Sequence, residues 1–115
     1  MNPHIDSVLT HHLTAFGDNS LDEILKDYQE KSEIYTPSGT RKGLTAIREF
    51  FKEFFDAIPA GSSFQMLEKQ VKGNLAYIVW SSESDKFQIP VGTDTFLFED
   101  DKIVQHTVAD YRIKK

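Results

Sequence analysis

Cysteine is absent from the 115-residue sequence, which removes disulfides, iron–sulfur clusters, thiolate zinc sites and cysteine nucleophiles together. Positive charge is scarce: 13 Lys and Arg stand against 18 Asp and Glu, a formal net charge of -5 with a pI near 5.3. No basic block is longer than the terminal Lys114-Lys115. Nucleic acids and anionic membranes need a clustered positive field, so neither is expected as a partner. Long apolar runs are missing as well. The longest is six residues, Leu75–Trp80, and MNPHIDSVLTHHL has neither the basic start nor the apolar stretch of a secretory leader. A cytoplasmic location is expected, with a reducing compartment allowed but not demanded. No His-x-His or His-x-x-x-His spacing occurs, and no P-loop, nucleophile elbow or dinucleotide-binding glycine pattern, so neither a metal nor another cofactor is expected.

What is present in excess is phenylalanine, nine in all. The length fits one domain, residues 1–115, burying roughly 65% of the surface its unfolded chain exposes. Helical periodicity fills the first half and strand alternation the second, an α+β arrangement. Ile5, Val8, Leu9, His12, Leu13 and Phe16 recur at helical spacing up to Gly17-Asp18-Asn19. Ser20-Leu21-Asp22-Glu23 is a capping-box pattern that opens a short helix with Leu21, Ile24, Leu25 and Tyr28 on its apolar stripe. Glu33–Thr36 reads as a brief strand closed by Pro37-Ser38-Gly39. From Leu44 to Ile58 the apolar face Leu44, Ile47, Phe50, Phe51, Phe54, Phe55 and Ile58 predicts the strongest helix, stopped by Pro59-Ala60-Gly61. Four β-rich runs follow, Phe64–Val71, Ala76–Ser82, Val91–Phe98 and Lys102–Ile113, as an antiparallel meander that the helices must cover on one face.

The polar groups of interest are those the pattern turns inward. His12 lies on the apolar stripe of the first helix, either as a core histidine satisfied by one hydrogen bond or as a cavity group. His11 points about 100° away. Asp94 alternates onto one face with Phe96 and Phe98, where an ionised, unpaired carboxyl is expensive; it pairs, stays protonated, or belongs to an edge. His106 and Asp110 share a face of the last strand, roughly 13 Å apart. A two-residue turn at Asp100-Asp101 would oppose Asp94 to Thr107 and put His106 and Asp110 on the other face; a bulge reverses this. Trp80, on a face with Ile78 and Ser82, reads as core or cavity wall.

Three segments in order resemble the NTF2-like superfamily, in particular its SnoaL-like polyketide cyclase and ketosteroid isomerase branch. Asn19-Ser20-Leu21-Asp22-Glu23-Ile24 is similar to the family's helix junction, Gly43-Leu44-Thr45-Ala46-Ile47-Arg48-Glu49-Phe50-Phe51 to its G-x-x-A-I-R-x-F helix, and Phe98-Glu99-Asp100-Asp101-Lys102-Ile103-Val104-Gln105-His106 to its F-x-D-G-K-I-x-E-H hairpin. The resemblance implies a cone-shaped α+β barrel, three helices against a curved, mainly antiparallel sheet, and a homodimer through the outer sheet face. It implies an oxyanion-hole place for His12 and Asp94, a pocket place for Tyr28 and Phe51, and acid–base chemistry at His106 and Asp110. It also puts Thr36 where ketosteroid isomerases keep their aspartate base. Threonine cannot serve as that base near neutral pH, which argues against steroid isomerisation itself. The resemblance further favours the bulged hairpin, with Asp94, His106 and Asp110 all facing the cavity.

Two classes of function follow. One is a cofactor-free isomerase, cyclase or lyase acting on a small hydrophobic carbonyl compound, with Asp94, His106, Asp110 and His12 catalytic and Tyr28, Thr36, Phe51, Ile78, Trp80 and Phe96 around the substrate. The other is a non-catalytic module, binding a ligand unchanged or serving dimerisation with its interior filled by Phe. A cavity below roughly 300 Å³ would speak for the filled interior.

Overall fold

The computed structural model describes residues 3–115, with side chains from Ile5 onward. Pro3–Gly17 forms α1, Leu21–Leu25 α2, Glu33–Thr36 β1, Gly39–Lys42 β2, Leu44–Ala57 α3, Ser63–Lys72 β3, Leu75–Glu83 β4, Phe87–Glu99 β5 and Lys102–Lys114 β6. The strands make one curved, open sheet in the order β2-β1-β6-β5-β4-β3. β1 runs parallel to β6, and every other neighbouring pair is antiparallel. The three helices pack on one face of this sheet, as the α+β expectation required. No described helix is long and apolar enough to cross a membrane.

α3 forms as its stripe predicts: Ile47, Phe51, Phe54 and Phe55 are buried. Each fully covered Phe is worth about 2 kcal/mol of transfer free energy. Phe51 meets Phe96 and Ile78 of the sheet in one core that also takes Ile5 and Leu9 of α1. α2 is shorter than its stripe suggests. Ser20 accepts the Glu23 backbone N–H at 3.3 Å, but Glu23 spends its carboxylate on His11 and Lys26 rather than closing the box. After Leu25 the amide donors of Lys26, Asp27 and Tyr28 reach carbonyls three residues back, so the helix tightens and ends. Tyr28 therefore stands outside it, a correction to the sequence expectation.

β2 is the other difference. Gly39-Thr40-Arg41-Lys42 has no apolar alternation and gives no strand signal. It pairs with β1 because the Pro37-Ser38 turn returns it there, with Thr36 Oγ1 donating to the Gly39 carbonyl at 2.9 Å and accepting from the Ser38 amide at 3.1 Å.

The β5–β6 hairpin settles the register question. Phe98 opposes Ile103 while Leu97 opposes Gln105, so Val104 is the extra residue of a bulge. Beyond it Phe96 opposes His106, Asp94 opposes Val108 and Gly92 opposes Asp110. All of these share the helix-covered face, as do Phe96 and Phe98, 0% and 2% exposed.

Candidate functional site

Under the helices the sheet carries a continuous hydrogen-bonded chain. Trp80 Nε1–H donates to Asp94 Oδ1 at 2.7 Å, and His106 Nε2 lies 2.6 Å from Asp94 Oδ2. The Tyr28 hydroxyl is 2.9 Å from His106 Nδ1. Burial, reinforced by the negative charges of Asp94 and Asp27, pushes the Tyr28 phenol well above its ordinary range. It stays protonated; with the phenol O–H donating to Nδ1, His106 donates from Nε2 to Asp94. Every donor in this chain then has an acceptor, the condition under which a buried polar network is tolerated. Asp94 is 6% exposed and His106 1%.

Gly92 makes the tryptophan part of this chain possible. It opposes Trp80 across the β4–β5 pairing, and a Cβ built on it would overlap the six-membered part of the indole ring. Without that Cβ the indole lies close against β5, and its N–H reaches the side chain two residues further on.

His12 descends from α1 into an aromatic surround. Its ring centroid lies 5.0 Å from Phe96, 5.8 Å from Phe51, 5.9 Å from Tyr28 and 5.9 Å from His106. Burial first, then the His106 and His11 rings, holds its pKa well below 6.5, so it is neutral. Its Nδ1 is buried without a hydrogen bond; the nearest carboxylate oxygen, Asp27 Oδ2, is 3.9 Å away, beyond bonding distance.

Asp27, His11 and Glu23 form a second cluster beside it. His11 Nδ1 lies 2.8 and 2.9 Å from the two Asp27 oxygens, and Nε2 lies 3.0 Å from Glu23 Oε1. Bonding to Glu23 and then Asp27 raises the His11 pKa, while burial raises that of Asp27, with His11 opposing the rise. No apolar periodicity points to these three residues. Asp27 in particular is buried by the tightened turn after α2, where its own carbonyl accepts the Ile103 amide at 2.7 Å.

His12, Asp94, Trp80 and Phe96 line a cleft of about 20 Å³ whose wall includes Phe51, Ile78, Phe16 and Phe64. An adjoining hollow of about 100 Å³ shares Leu13, Phe16 and Phe64 with it. Phe64 is 41% exposed and stacks on Trp80 at 5.6 Å. Substrate-sized pockets hold at least about 300 Å³, so aromatic side chains fill most of this interior.

Asp110 and Thr36 stand elsewhere. Both line an open groove of about 460 Å³ together with Arg41, Glu53 and Arg112. Asp110 shares a sheet face with His106 but accepts from Arg112 Nε at 2.7 Å and Nη2 at 3.3 Å. The Arg112 guanidinium in turn lies over the Phe54 ring at 5.4 Å. Phe54 borders both the groove and the cleft. Phe54 thus stands between the cleft that Asp94 lines and the groove that Asp110 and Thr36 line. Among the described residues no group of His, Asp and Glu side chains is arranged to hold a metal ion.

The family model of the SnoaL-like domain matches residues 9–106. No curated protein matches the sequence. Among solved structures, an NTF-2 like protein of unknown function from Burkholderia xenovorans aligns with TM-score 0.79 at 18% identity, covering 97% of this chain and 86% of its own. A candidate polyketide cyclase from Sinorhizobium meliloti aligns with TM-score 0.73 at 17% identity, covering 94% and 100%. A candidate ketosteroid isomerase from Kribbella flavida aligns with TM-score 0.79 at 11% identity, covering 97% and 81%. At these identities the likeness is one of fold.

Proposed function

The chain belongs to the SnoaL-like domain family, and from that premise we propose that its cleft takes up a small apolar carbonyl compound and moves a proton on it without a cofactor, as an isomerase, cyclase or lyase does. The candidate cyclase and isomerase among its structural neighbours support this class of chemistry. The observation that carries it is the pair of unlike proton carriers on one apolar cleft: Asp94, backed by His106 and Tyr28, and neutral His12. Moving a proton from carbon to oxygen takes an acceptor beside the carbon and a donor beside the developing oxyanion. In a site with little water both act strongly. Entry requires the Phe64 ring to swing off Trp80, which joins the cleft to the adjoining hollow. Asp110 and Thr36 lie behind Phe54 and take no part.

The test is hydrogen exchange at carbon. Small cyclic and aromatic ketones in heavy water, followed by NMR, are expected to lose their α-protons faster with the protein than without it. Asp94→Asn and His12→Gln should each reduce the catalysed rate at least roughly tenfold, about 1.4 kcal/mol of transition-state stabilisation. Equal rates in both variants would defeat the assignment.

The small volume of the cleft favours a second reading, a non-catalytic dimerisation module with a filled interior. Leu75, Val91 and Tyr111 lie exposed on the outer sheet face and would meet a second copy there. A dimer in native mass spectrometry that carries no ligand and catalyses no exchange is the outcome this reading expects.

A further inference from the structure

The Glu23–His11–Asp27 cluster plays no part in the proposed chemistry, yet it ends beside the orphaned nitrogen of His12. Asp27 places both carboxylate oxygens on a single His11 nitrogen, at 2.8 and 2.9 Å, although one oxygen suffices for one N–H. The other, Oδ2, lies 3.9 Å from His12 Nδ1. That nitrogen is buried and has no hydrogen-bond partner, and the ring as a whole lines the cleft with Asp94. A lone pair on Nδ1 would face a carboxylate 3.9 Å away in a buried site, which is repulsive; an N–H there is attractive and comes into bonding range with a small rotation of Asp27.

We infer that Asp27 is a positioning residue for His12, holding its proton on Nδ1 and leaving the Nε2 lone pair for the cleft. This rests on the proposed reading of the cleft and assigns a role within it. His12 is then the proton carrier: a substrate C–H proton passes to Nε2, its electron pair moves onto the substrate as the enolate, Asp27 balances the imidazolium that forms, and the Nε2–H then returns a proton to the substrate at oxygen or carbon. The carboxylate–imidazole pairing is the arrangement by which buried acids orient catalytic histidines generally. His11, half-exposed and bonded to Glu23, links Asp27 to solvent. When both His11 nitrogens carry protons they donate to Asp27 and Glu23, and loss of the Nε2 proton weakens only the Glu23 contact. The charged and titratable groups around His12 are His106 from β6, Tyr28 from the turn after α2, Asp94 across the cleft, and His11, Asp27 and Lys102 on the solvent side.

The experiment is long-range ¹⁵N–¹H NMR of the full protein labelled at histidine, with His12 assigned by loss of its signals in His12→Gln. The expected spectrum of the unaltered protein has His12 protonated at Nδ1 and unprotonated at Nε2. In Asp27→Ala the proton moves to Nε2, the nitrogen imidazole itself prefers. Should that variant fail to fold, the unaltered protein decides: an Nε2-protonated His12 overturns the inference. The same Nδ1 tautomer in a folded Asp27→Ala overturns it too. The expected tautomer and its shift in the variant, in a protein that exchanges no ketone protons, leave Asp27's role standing and defeat the proposed function instead.

Discussion

Asp94 and His106 face each other diagonally across β5 and β6, carboxylate oxygen to imidazole nitrogen at 2.6 Å, although their strands are joined by a turn whose regular continuation would keep them on opposite faces. The pair is therefore a product of the bulge at Val104 as much as of the two side chains. Buried acid–imidazole contacts of this kind are exacting. With both partners present, each polar atom is matched; with one removed, the other is stranded in an apolar site.

Asp94→Ala should accordingly destabilise the fold by about 3 kcal/mol or more, the cost of breaking a buried pair by removing one member. Asp94→Asn keeps an acceptor for Trp80 or His106 and should lose less. Urea unfolding at neutral pH measures both, and equal stability of Asp94→Ala and the unaltered protein would remove the pair's structural role.

Gly92→Ala tests the close approach of the indole. The added methyl competes with the Trp80 ring for space, and strain or displacement should cost about 1–3 kcal/mol. Trp80 is the sole tryptophan, so a change in its emission spectrum in the folded variant reports the displaced ring directly.

Phe64→Ala removes a half-exposed ring and should cost only about 1 kcal/mol. It uncovers Trp80 and joins the cleft to its neighbouring hollow. Indole or a small aromatic ketone should bind roughly tenfold tighter than to the unaltered protein, about 1.4 kcal/mol, as read by the change in Trp80 emission. Unchanged binding would show that Phe64 does not close the mouth.

The histidines predict a pH dependence whose signs oppose. His12 has a folded-state pKa well below 6.5, so the unfolded chain takes up a proton there that the folded chain refuses. Stability falls as pH drops below about 6.5, with a limiting slope near 1.4 kcal/mol per pH unit for one proton. His11 has its folded pKa raised. Its contribution is full below about 6.5 and is lost as pH rises through the folded value. Replacing His12 by Phe should flatten the acid side of the urea-midpoint profile between pH 7.5 and 5.5, and His11→Ala should steepen it. The same slope in all three proteins would contradict both shifts.

Much of this was legible in the residues. The Phe stripe of α3 and the alternation of the last four strands are periodic signals that turn Phe51, Ile78, Trp80 and Phe96 toward the interior, and the resemblance to the SnoaL-like branch is what gathers His12 and Asp94 with them. Tyr28 illustrates what periodicity misses: its spacing fits a helix, but hydrogen bonds to carbonyls three residues back end α2 before it. β2 was illegible because its pairing comes from a turn and a vacant strand edge rather than from its own side chains. Asp110 went to the neighbouring groove because alternation reports which face a side chain takes, not that Phe54 would stand between two parts of that face. Asp27 and His11 were hidden for a different reason. Asp27 is buried where a long-range contact, the Ile103 amide on its carbonyl, holds the turn, which no local window contains, and His11 is drawn in only through Asp27.

The extra residue of β6 makes that strand unequal in its tolerance of changes in length. Gln105 follows Ile103 in pairing order as though Val104 were not there, so the chain beyond it is already in the phase of a strand one residue shorter. Deleting Val104 leaves His106, Val108 and Asp110 on the side they occupy now. Deleting Thr107 instead turns Val108 and Asp110 outward. In an otherwise unforgiving strand, a single codon can be lost at one place without inverting the interior.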